Sequence, residues 1–342
     1  MDFETYGSNQ GLGQHQVYAA GFAIKDHTEL NYIEQGESSE GFINNFFLSI
    51  FKNIKVNLEG YTFYVHNLGR FYSIFILNSL TINNDFILTP IWKDNSILSL
   101  KIKYLNKEII LLDSLQLIPH NLENILISFN CGIKKGYFPY SFVTKENLNY
   151  IGDKPLKEYY KNISESEYLA IPKDNWDLKK ETLIYLKSDV EGLLEAMLKF
   201  RDTIHNKYNL DITKVKTLPG LALTIYTSKY LPENLKNKLK MVKGNLENIF
   251  RSSYFGGNVD VFINKINKGF LYDMNSQYPA AMLKDVPLGN PVLSLETNLD
   301  NIFGFVFCEI TPPGYDVLHI LCLLILKYHY NMQLWFYDPN LY

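Results

Sequence analysis

Segments rich in β-branched and aromatic residues alternate with segments of helical periodicity, and this alternation is the strongest constraint on the fold. Strand signals bounded by Gly, Asn or Asp cover residues 17–24, 61–66, 97–104 and 108–112. Helical signals cover residues 41–54, 68–80 and 181–206. Strands interleaved with helices predict an α/β domain over residues 1–206.

A second region of different character follows. Residues 207–313 are predicted to form a separate domain, with helices at 218–230 and 233–243 and a β-hairpin whose strands are 259–263 and 269–273. Residues 314–342 contain few of the charged residues that are interspersed through the preceding sequence, and they are predicted to be an aberrant tail. Translation in a shifted frame and a divergent terminal helix both remain open for that tail.

Charge and cysteine content exclude some classes of protein. The chain has 33 Lys plus Arg against 36 Asp plus Glu, a net charge of −3, which argues against a small basic DNA-coating protein but not against a nucleic-acid enzyme. Its three cysteines lie far apart and have no zinc-ligand spacing, so neither a zinc module nor a disulfide scaffold is expected. The apolar run at 317–326 is shorter than the ~20 residues of a membrane span, so no membrane partner is expected.

Two carboxylates near the start of the chain are candidate metal ligands. Asp2 and Glu4 stand two apart in the sequence DFETY, so on a strand both would project from one face. Hard oxygen ligands of this kind bind divalent cations. By itself such a pair is more often a solvated strand end.

Two further motifs give this pair a context. HNLGRFY, at residues 66–72, follows a predicted strand, and Tyr185 precedes Asp189 by four positions on a predicted helix. D-x-E, H-N-x-G-x-F and Y-x-x-x-D, in this order, resemble the three exonuclease motifs of family B DNA polymerases of the protein-primed branch. The resemblance implies an RNase H-like 3′–5′ exonuclease domain, followed by an incomplete polymerase palm.

The resemblance also implies roles for these residues. Asp2, Glu4 and Asp189 would be catalytic metal ligands for Mg²⁺ or Mn²⁺ in a two-metal site, and Tyr185 would orient the attacking water. Asn67 and Phe71 would bind DNA.

Two more segments resemble DNA-binding elements of the same family. LLDSLQLIP carries a Ser-Leu pair, Ser114 and Leu115, which by this match touches single-stranded DNA. The Y-x-G-G element of the family corresponds to Tyr254, Gly256 and Gly257, whose glycines would let the backbone approach the template strand closely.

YDMNSQYP resembles polymerase motif A. By this match Asp273 is a catalytic, metal-binding carboxylate, Ser276 and Gln277 lie at the triphosphate, and Tyr278 stacks against the sugar of the incoming nucleotide. A metal site in the palm, in addition to the exonuclease site, would apply the same two-metal chemistry to nucleotide addition.

Two of the chain's departures from the family pattern concern catalytic carboxylates. The second exonuclease motif normally ends in Asp, but Tyr72 stands at this position, and a phenol with a pKa near ~10 is a poor ligand for Mg²⁺. We therefore expect an impaired exonuclease. The resemblance ends at about residue 313, before the second palm carboxylates, so we expect no DNA synthesis from this chain.

The expected class is thus a DNA-directed DNA polymerase of the protein-primed type, acting in DNA replication as a truncated or degenerate copy. Its expected partners are DNA, deoxynucleoside triphosphates and a terminal protein primer. A composition rich in Asn, Ile, Lys and Tyr suggests an organelle-encoded, plasmid-type gene and a mitochondrial location. A stand-alone exonuclease and an inactive exonuclease-like DNA-binding fragment are the alternatives.

Overall fold

The computed structural model describes residues 1–7, 15–52, 57–236, 242–253, 261, 263–287, 289–309 and 333–337. The chain divides into two compact units, Met1–Tyr230 and Leu231–Tyr342. Within the described residues, no helix combines the length and the apolar character needed to cross a bilayer.

The first unit begins with a three-stranded antiparallel sheet. Its strands are β1 (Asp2–Tyr6), β2 (Gln16–Ile24) and β3 (His27–Tyr32), in the order β1-β2-β3. Residues 17–23 of β2 are all buried, as expected for a strand covered on both faces. Helix α1 (Ser39–Lys52) packs against β2, and most of its Phe and Ile side chains are buried.

A four-stranded sheet follows, in the order β4-β7-β6-β5. Its strands are β4 (Thr62–Val65), β5 (Phe86–Lys93), β6 (Ser96–Tyr104) and β7 (Lys107–Asp113). Only the pairing of β4 with β7 is parallel. The Met1 amino group donates a hydrogen bond to the Tyr64 carbonyl oxygen at 3.0 Å, which places the start of β1 beside β4.

The connection between β4 and β5 differs from the continuous helix predicted over residues 68–80. A π-helical turn, Leu68–Tyr72, precedes helix α2 (Ser73–Leu80). Asn67, directly before the turn, has a left-handed backbone with φ of 66°, a conformation that Asn adopts more readily than most residues. This turn carries the predicted second exonuclease motif.

The remaining helices of the first unit follow β7. They are α3 (Ser114–Leu117), α4 (Leu122–Ser128), α5 (Glu165–Ala170), α6 (Leu178–Tyr208) and α7 (Leu218–Ile225), with short strands β8 (Ile151–Gly152) and β9 (Trp176–Asp177) between α4 and α6. The Asp177 side chain accepts a hydrogen bond from the Lys180 amide and thereby caps α6, so this helix begins earlier than the predicted residue 181. Helix α6 packs across β1, β2 and β3.

The second unit contains few regular elements among its described residues. These are helices α8 (Glu233–Lys236), α9 (Asn245–Ser252) and α10 (Gln277–Ala281), and the antiparallel pair β10 (Phe305–Glu309) and β11 (Gln333–Tyr337). The rings of Phe250 and Phe305 stack with centroids 4.3 Å apart. The predicted hairpin is wrong where it can be examined, because residues 269–273 are not a strand, while 259, 260 and 262 lie outside the described residues.

The four strands predicted in the first region are confirmed. Strands β3 and β5 were not predicted, because β3 is largely polar and β5 contains Pro90. An edge strand tolerates proline, since one side of it has no partner strand. The predicted domain boundary at 206 falls inside the first unit, because Leu221 of α7 is buried in the same core cluster as residues of α4 and α6.

Candidate functional site

Three carboxylates from distant parts of the sequence meet in the first unit. Asp2 and Glu4 project from one face of β1, and Asp189 projects from α6, which crosses that strand. One ligand oxygen from each carboxylate lies within 4.8 Å of the other two. Glu4 and Asp189 are buried and Asp2 is partly buried.

The electrostatics of this cluster favour a bound cation. Burial, followed by the charge of Asp189, raises the pKa of Asp2 to about 6. Burial and the charges of Asp2 and Asp189 raise the pKa of Glu4 well above its ordinary value. Asp189 Oδ1 is buried and has no hydrogen-bond partner within the described part of the chain. Closely spaced oxygens, one of them without a partner, fit a divalent ion such as Mg²⁺ or Mn²⁺.

A lysine that was not singled out from the sequence borders the cluster. Lys135 Nζ lies 3.0 Å from Asp189 Oδ2 and opposes the rise in the pKa of Asp189 that burial causes. The same ammonium group lies 5.3 Å from the centre of the Tyr185 ring. Nothing in the local sequence pairs Lys135 with a residue of α6.

Tyr185 lies beside the carboxylates, one helical turn before Asp189. It is buried, its hydroxyl is hydrogen-bonded to the hydroxyl of Tyr140, and its ring packs on Phe138 with centroids 5.1 Å apart. Burial and then the charge of Asp189 raise the pKa of Tyr185, so its hydroxyl is neutral and can donate a hydrogen bond. Tyr140 is a second residue of this site that sequence reasoning missed.

Tyr72 also faces the cluster, from the end of the π-helical turn. Its ring lies 5.5 Å from that of Phe3, and its hydroxyl is near enough to Asp2 to interact with that carboxylate. Burial raises the pKa of Tyr72 well above its ordinary value, and the charges of Asp2 and Glu4 raise it further. A neutral phenol therefore occupies this side of the cluster. The three carboxylates fit one divalent ion, and the residue expected to complete a second site supplies no carboxylate.

The buried side chain of Asp113 holds two candidate DNA-binding segments together. Its Oδ1 accepts hydrogen bonds from the amides of Asn67 and Leu115, and its Oδ2 accepts one from the amide of Gly69, each at 3.0 Å. These bonds fix the start of the π-helical turn against the start of α3. Asp113 was not predicted as a site residue, although it stands in the LLDSL segment.

The predicted DNA contacts around Asp113 differ in exposure. Asn67, Phe71 and Leu115 are partly exposed, and we call these three residues the strand-binding cluster. Ser114 is fully buried, and its hydroxyl lies 3.0 Å from His66 Nδ1, so its side chain supports His66 and does not face solvent. Burial, with a smaller contribution from Lys135, lowers the pKa of His66 to about 4, so that His66 is neutral near pH 7.

The predicted polymerase residues belong to the second unit. Asp273, Ser276, Gln277 and Tyr278 are exposed and belong to the second unit, where Ser276 has φ of 53° directly before α10. In the part of the chain that the structure describes, one group of three potential metal ligands comes together, and Asp273 is not in it. The Y-x-G-G residues Tyr254, Gly256 and Gly257 lie outside the described residues.

Comparison with known proteins identifies relatives across most of the chain. The family described as DNA polymerase type B, organellar and viral, matches residues 52–337, and this range includes part of the predicted aberrant tail. A probable DNA polymerase of Agaricus bitorquis is 44% identical over 341 residues, covering 93% of this chain and 42% of the relative. One of Ascobolus immersus is 35% identical over 291 residues, covering 79% of this chain and 24% of the relative.

Solved structures show the same fold. Phi29 DNA polymerase complexed with primer-template DNA superimposes with a TM-score of 0.53 at 22% identity, over 98% of this chain and 55% of that one. The ternary complex of the same polymerase with primer-template DNA and incoming nucleotide substrates superimposes with a TM-score of 0.52, also at 22% identity. This match covers 93% of this chain and 51% of the polymerase chain. The chain thus has the mixed α/β fold of the N-terminal part of that polymerase, and it spans less than half the length of its curated relatives. It belongs to the organellar and viral type B DNA polymerases.

Proposed function

We propose that this chain is the N-terminal part of a protein-primed DNA polymerase that acts in DNA replication. Family membership supports the polymerase class. DNA, deoxynucleoside triphosphates and a terminal protein primer are the proposed partners of the whole polymerase. A mitochondrial location of an organelle-encoded gene is part of the same proposal, and the organellar and viral scope of the family supports it.

For the first unit we propose a site that holds the 3′ end of a single DNA strand next to one divalent ion and cleaves it slowly. The observation that carries this proposal is the meeting of Asp2, Glu4 and Asp189 with Tyr72 on the side where a fourth carboxylate is expected. The three carboxylates would hold Mg²⁺ or Mn²⁺. Such an ion supplies a Lewis acid that stabilises developing charge on phosphate oxygens.

The surrounding residues would bind and orient the strand. Lys135 would place a positive charge beside the scissile phosphate, since its ammonium group is already directed at Asp189. The neutral Tyr185 hydroxyl would donate a hydrogen bond that orients the attacking water. The strand-binding cluster would hold the last bases by stacking on Phe71 and by apolar contact with Leu115.

In the second unit, Asp273 with Ser276, Gln277 and Tyr278 is the proposed start of the site for incoming nucleotide in the whole polymerase. All four residues are exposed and accessible to a ligand. Asp273 would be a ligand of the metal that accompanies the triphosphate. Tyr254, Gly256 and Gly257 are proposed to approach the template strand.

A Tyr72→Asp variant tests the proposal for the first unit. Restoring a carboxylate should speed degradation of a 3′-labelled single strand at least about tenfold, equivalent to about 1.4 kcal/mol of barrier. Tyr72→Phe, which removes only the hydroxyl, is the matched control and should show no gain. Titration with Mn²⁺, followed by electron paramagnetic resonance, should give one bound ion per wild-type chain and two per Tyr72→Asp chain.

The results of these assays distinguish an impaired exonuclease from an inactive DNA-binding fragment. Degradation by the wild-type chain as fast as by Tyr72→Asp would refute the assignment of Tyr72 as the cause of slow cleavage. Strand binding without degradation in either protein would favour the inactive DNA-binding fragment. Loss of Mn²⁺ binding in Asp189→Asn is expected in every case, because Asp189 belongs to the carboxylate set.

A further inference from the structure

A histidine directly before β2 lies against the strand-binding cluster. The imidazole of His15 is exposed, and its centre lies 5.5 Å from that of the Phe71 ring, with the two planes at 75°. A β-carbon added to Gly7 would lie 3.5 Å from Cε1 of the same imidazole, so the His15 ring also rests on the backbone that follows β1. His15 therefore joins the strand that carries Asp2 and Glu4 to the turn that carries Phe71.

His15 is the exposed end of a row of three aromatic rings that begins at the carboxylates. The first ring is that of Tyr72, whose hydroxyl interacts with Asp2. Its centre lies 5.1 Å from that of Phe71, and Phe71 contacts His15 in turn. Tyr72 and Phe71 are partly exposed, whereas His15 is exposed. The row thus leads from the proposed metal site, past the ring proposed to stack on a base, to solvent.

The contact between His15 and Phe71 leaves aromatic surface free. In a T-shaped pair the edge of one ring meets the face of the other, so each ring keeps at least one face that its partner does not cover. The local sequence does not oppose a polyanion, because no Asp or Glu occurs between positions 5 and 25. Arg70, directly before Phe71 in the π-helical turn, is exposed and adds a positive charge.

We propose that His15 is a further strand-binding residue, on which a base of the single strand stacks one nucleotide farther from the 3′ end than the base on Phe71. This inference rests on the proposed function, because it takes the carboxylates to hold the 3′ end and Phe71 to hold the same strand. A DNA strand is favoured as the occupant because the imidazole touches Phe71 directly. Stacking on His15 carries no sequence preference, since every base presents a flat aromatic face.

Binding of the 5′-labelled single-stranded oligonucleotide (dT)12 to the full chain, followed by fluorescence anisotropy with Ca²⁺ in place of Mg²⁺, tests the inference. His15→Ala should weaken binding by about fivefold or more, whereas His15→Phe, which keeps a flat ring, should retain most of the affinity. His15→Leu should bind as weakly as His15→Ala, because leucine can pack on Phe71 but offers no ring to a base. The matched control is His205→Ala, since His205 is exposed on α6 about 24 Å along the helix from Asp189. It should bind like the wild type.

Chemical modification examines the same contact in the wild-type chain. Diethyl pyrocarbonate acylates exposed imidazoles, and mass spectrometry measures the modification of His15 and His205 in one sample. Saturating (dT)12 should slow the modification of His15 several-fold and leave that of His205 unchanged. Equal modification of His15 with and without (dT)12 would overturn the inference.

Phe71→Ala distinguishes the failure of this inference from the failure of the proposed function. Wild-type affinity in His15→Ala together with weakened binding in Phe71→Ala would overturn the inference and leave the proposed strand site standing. Unchanged binding in both variants would overturn both. Wild-type affinity in His15→Leu would also overturn the inference, because His15 would then only pack against Phe71 and would not stack on a base.

Discussion

Replacing Asp113 by Asn tests whether one buried carboxylate holds the strand-binding cluster in place. Asp113 is 1% exposed and accepts hydrogen bonds from the amides of Asn67, Gly69 and Leu115. Asparagine of the same shape has one acceptor oxygen, which can serve Asn67 and Leu115. Its NH₂ group would face the Gly69 amide, so that two donors would oppose each other.

The magnitude follows from counting these bonds. Two charge-assisted bonds become neutral, and one buried donor loses its acceptor, for a gross loss of about 4 kcal/mol. Part of this loss is offset, because Asn carries no charge to desolvate, and burial already raises the pKa of Asp113 against the effect of its N–H donors. We expect a net decrease of about 2–3 kcal/mol in the free energy of unfolding, within a total of about 5–15 kcal/mol for a typical domain.

Urea unfolding followed by circular dichroism measures this decrease. Asp211→Asn is the matched control, because Asp211 also caps a helical turn, accepting from the Thr213 amide at 3.0 Å, but is exposed. It should cost less than about 1 kcal/mol. Asp113→Asn should also weaken binding of the single-stranded oligonucleotide (dT)12, since the Gly69 amide loses its acceptor and the bonds that hold Asn67 and Leu115 become neutral. A cost no larger than that of Asp211→Asn would refute the reasoning.

Two further predictions concern Gly69 and Asp2. A β-carbon on Gly69 would lie 2.3 Å from Ser96 Oγ and 2.4 Å from the Ile97 carbonyl oxygen, whereas one on Gly132 meets its nearest atom at 4.0 Å. Urea unfolding should therefore show a loss of about 2 kcal/mol or more for Gly69→Ala and less than about 0.5 kcal/mol for Gly132→Ala, and equal losses would contradict the packing argument. Because the pKa of Asp2 is raised to about 6, the folded metal-free protein retains a proton that the unfolded chain has released. Its free energy of unfolding should fall as the pH rises from about 4 to about 6, and a fall of the same size in Asp2→Asn would show that Asp2 is not the cause.

Local sequence patterns predicted much of the secondary structure of the first unit. Hydrophobic patterns predicted β2, β4, β6, β7, α1 and α6. Strand β2 is a continuous apolar run, because it is covered on both faces. The motifs with Asp2, Glu4 and Asp189 were visible for a similar reason, since their spacing is set within single elements. The family that these motifs resemble is confirmed by the comparison.

Relations between distant segments were decided only by the tertiary structure. Packing of α6 across β1 brings Asp189 to Asp2 and Glu4, and the segment between α4 and α5 contacts α6 through Lys135 and Tyr140. No local period in the sequence records these contacts. The same holds for Asp113, which joins the π-helical turn to the start of α3 although these segments lie far apart in the sequence.

The chain therefore carries its chemistry in its residue types, while the fold determines which of those residues act together. Tyr72 illustrates both parts. Its identity, read from the sequence, excludes a carboxylate from this position, but only the approach of the π-helical turn to β1 places its phenol against the charges of Asp2 and Glu4. Electrostatic interactions of this kind depend on distance and burial in space. Neither quantity can be obtained from the order of residues along the chain.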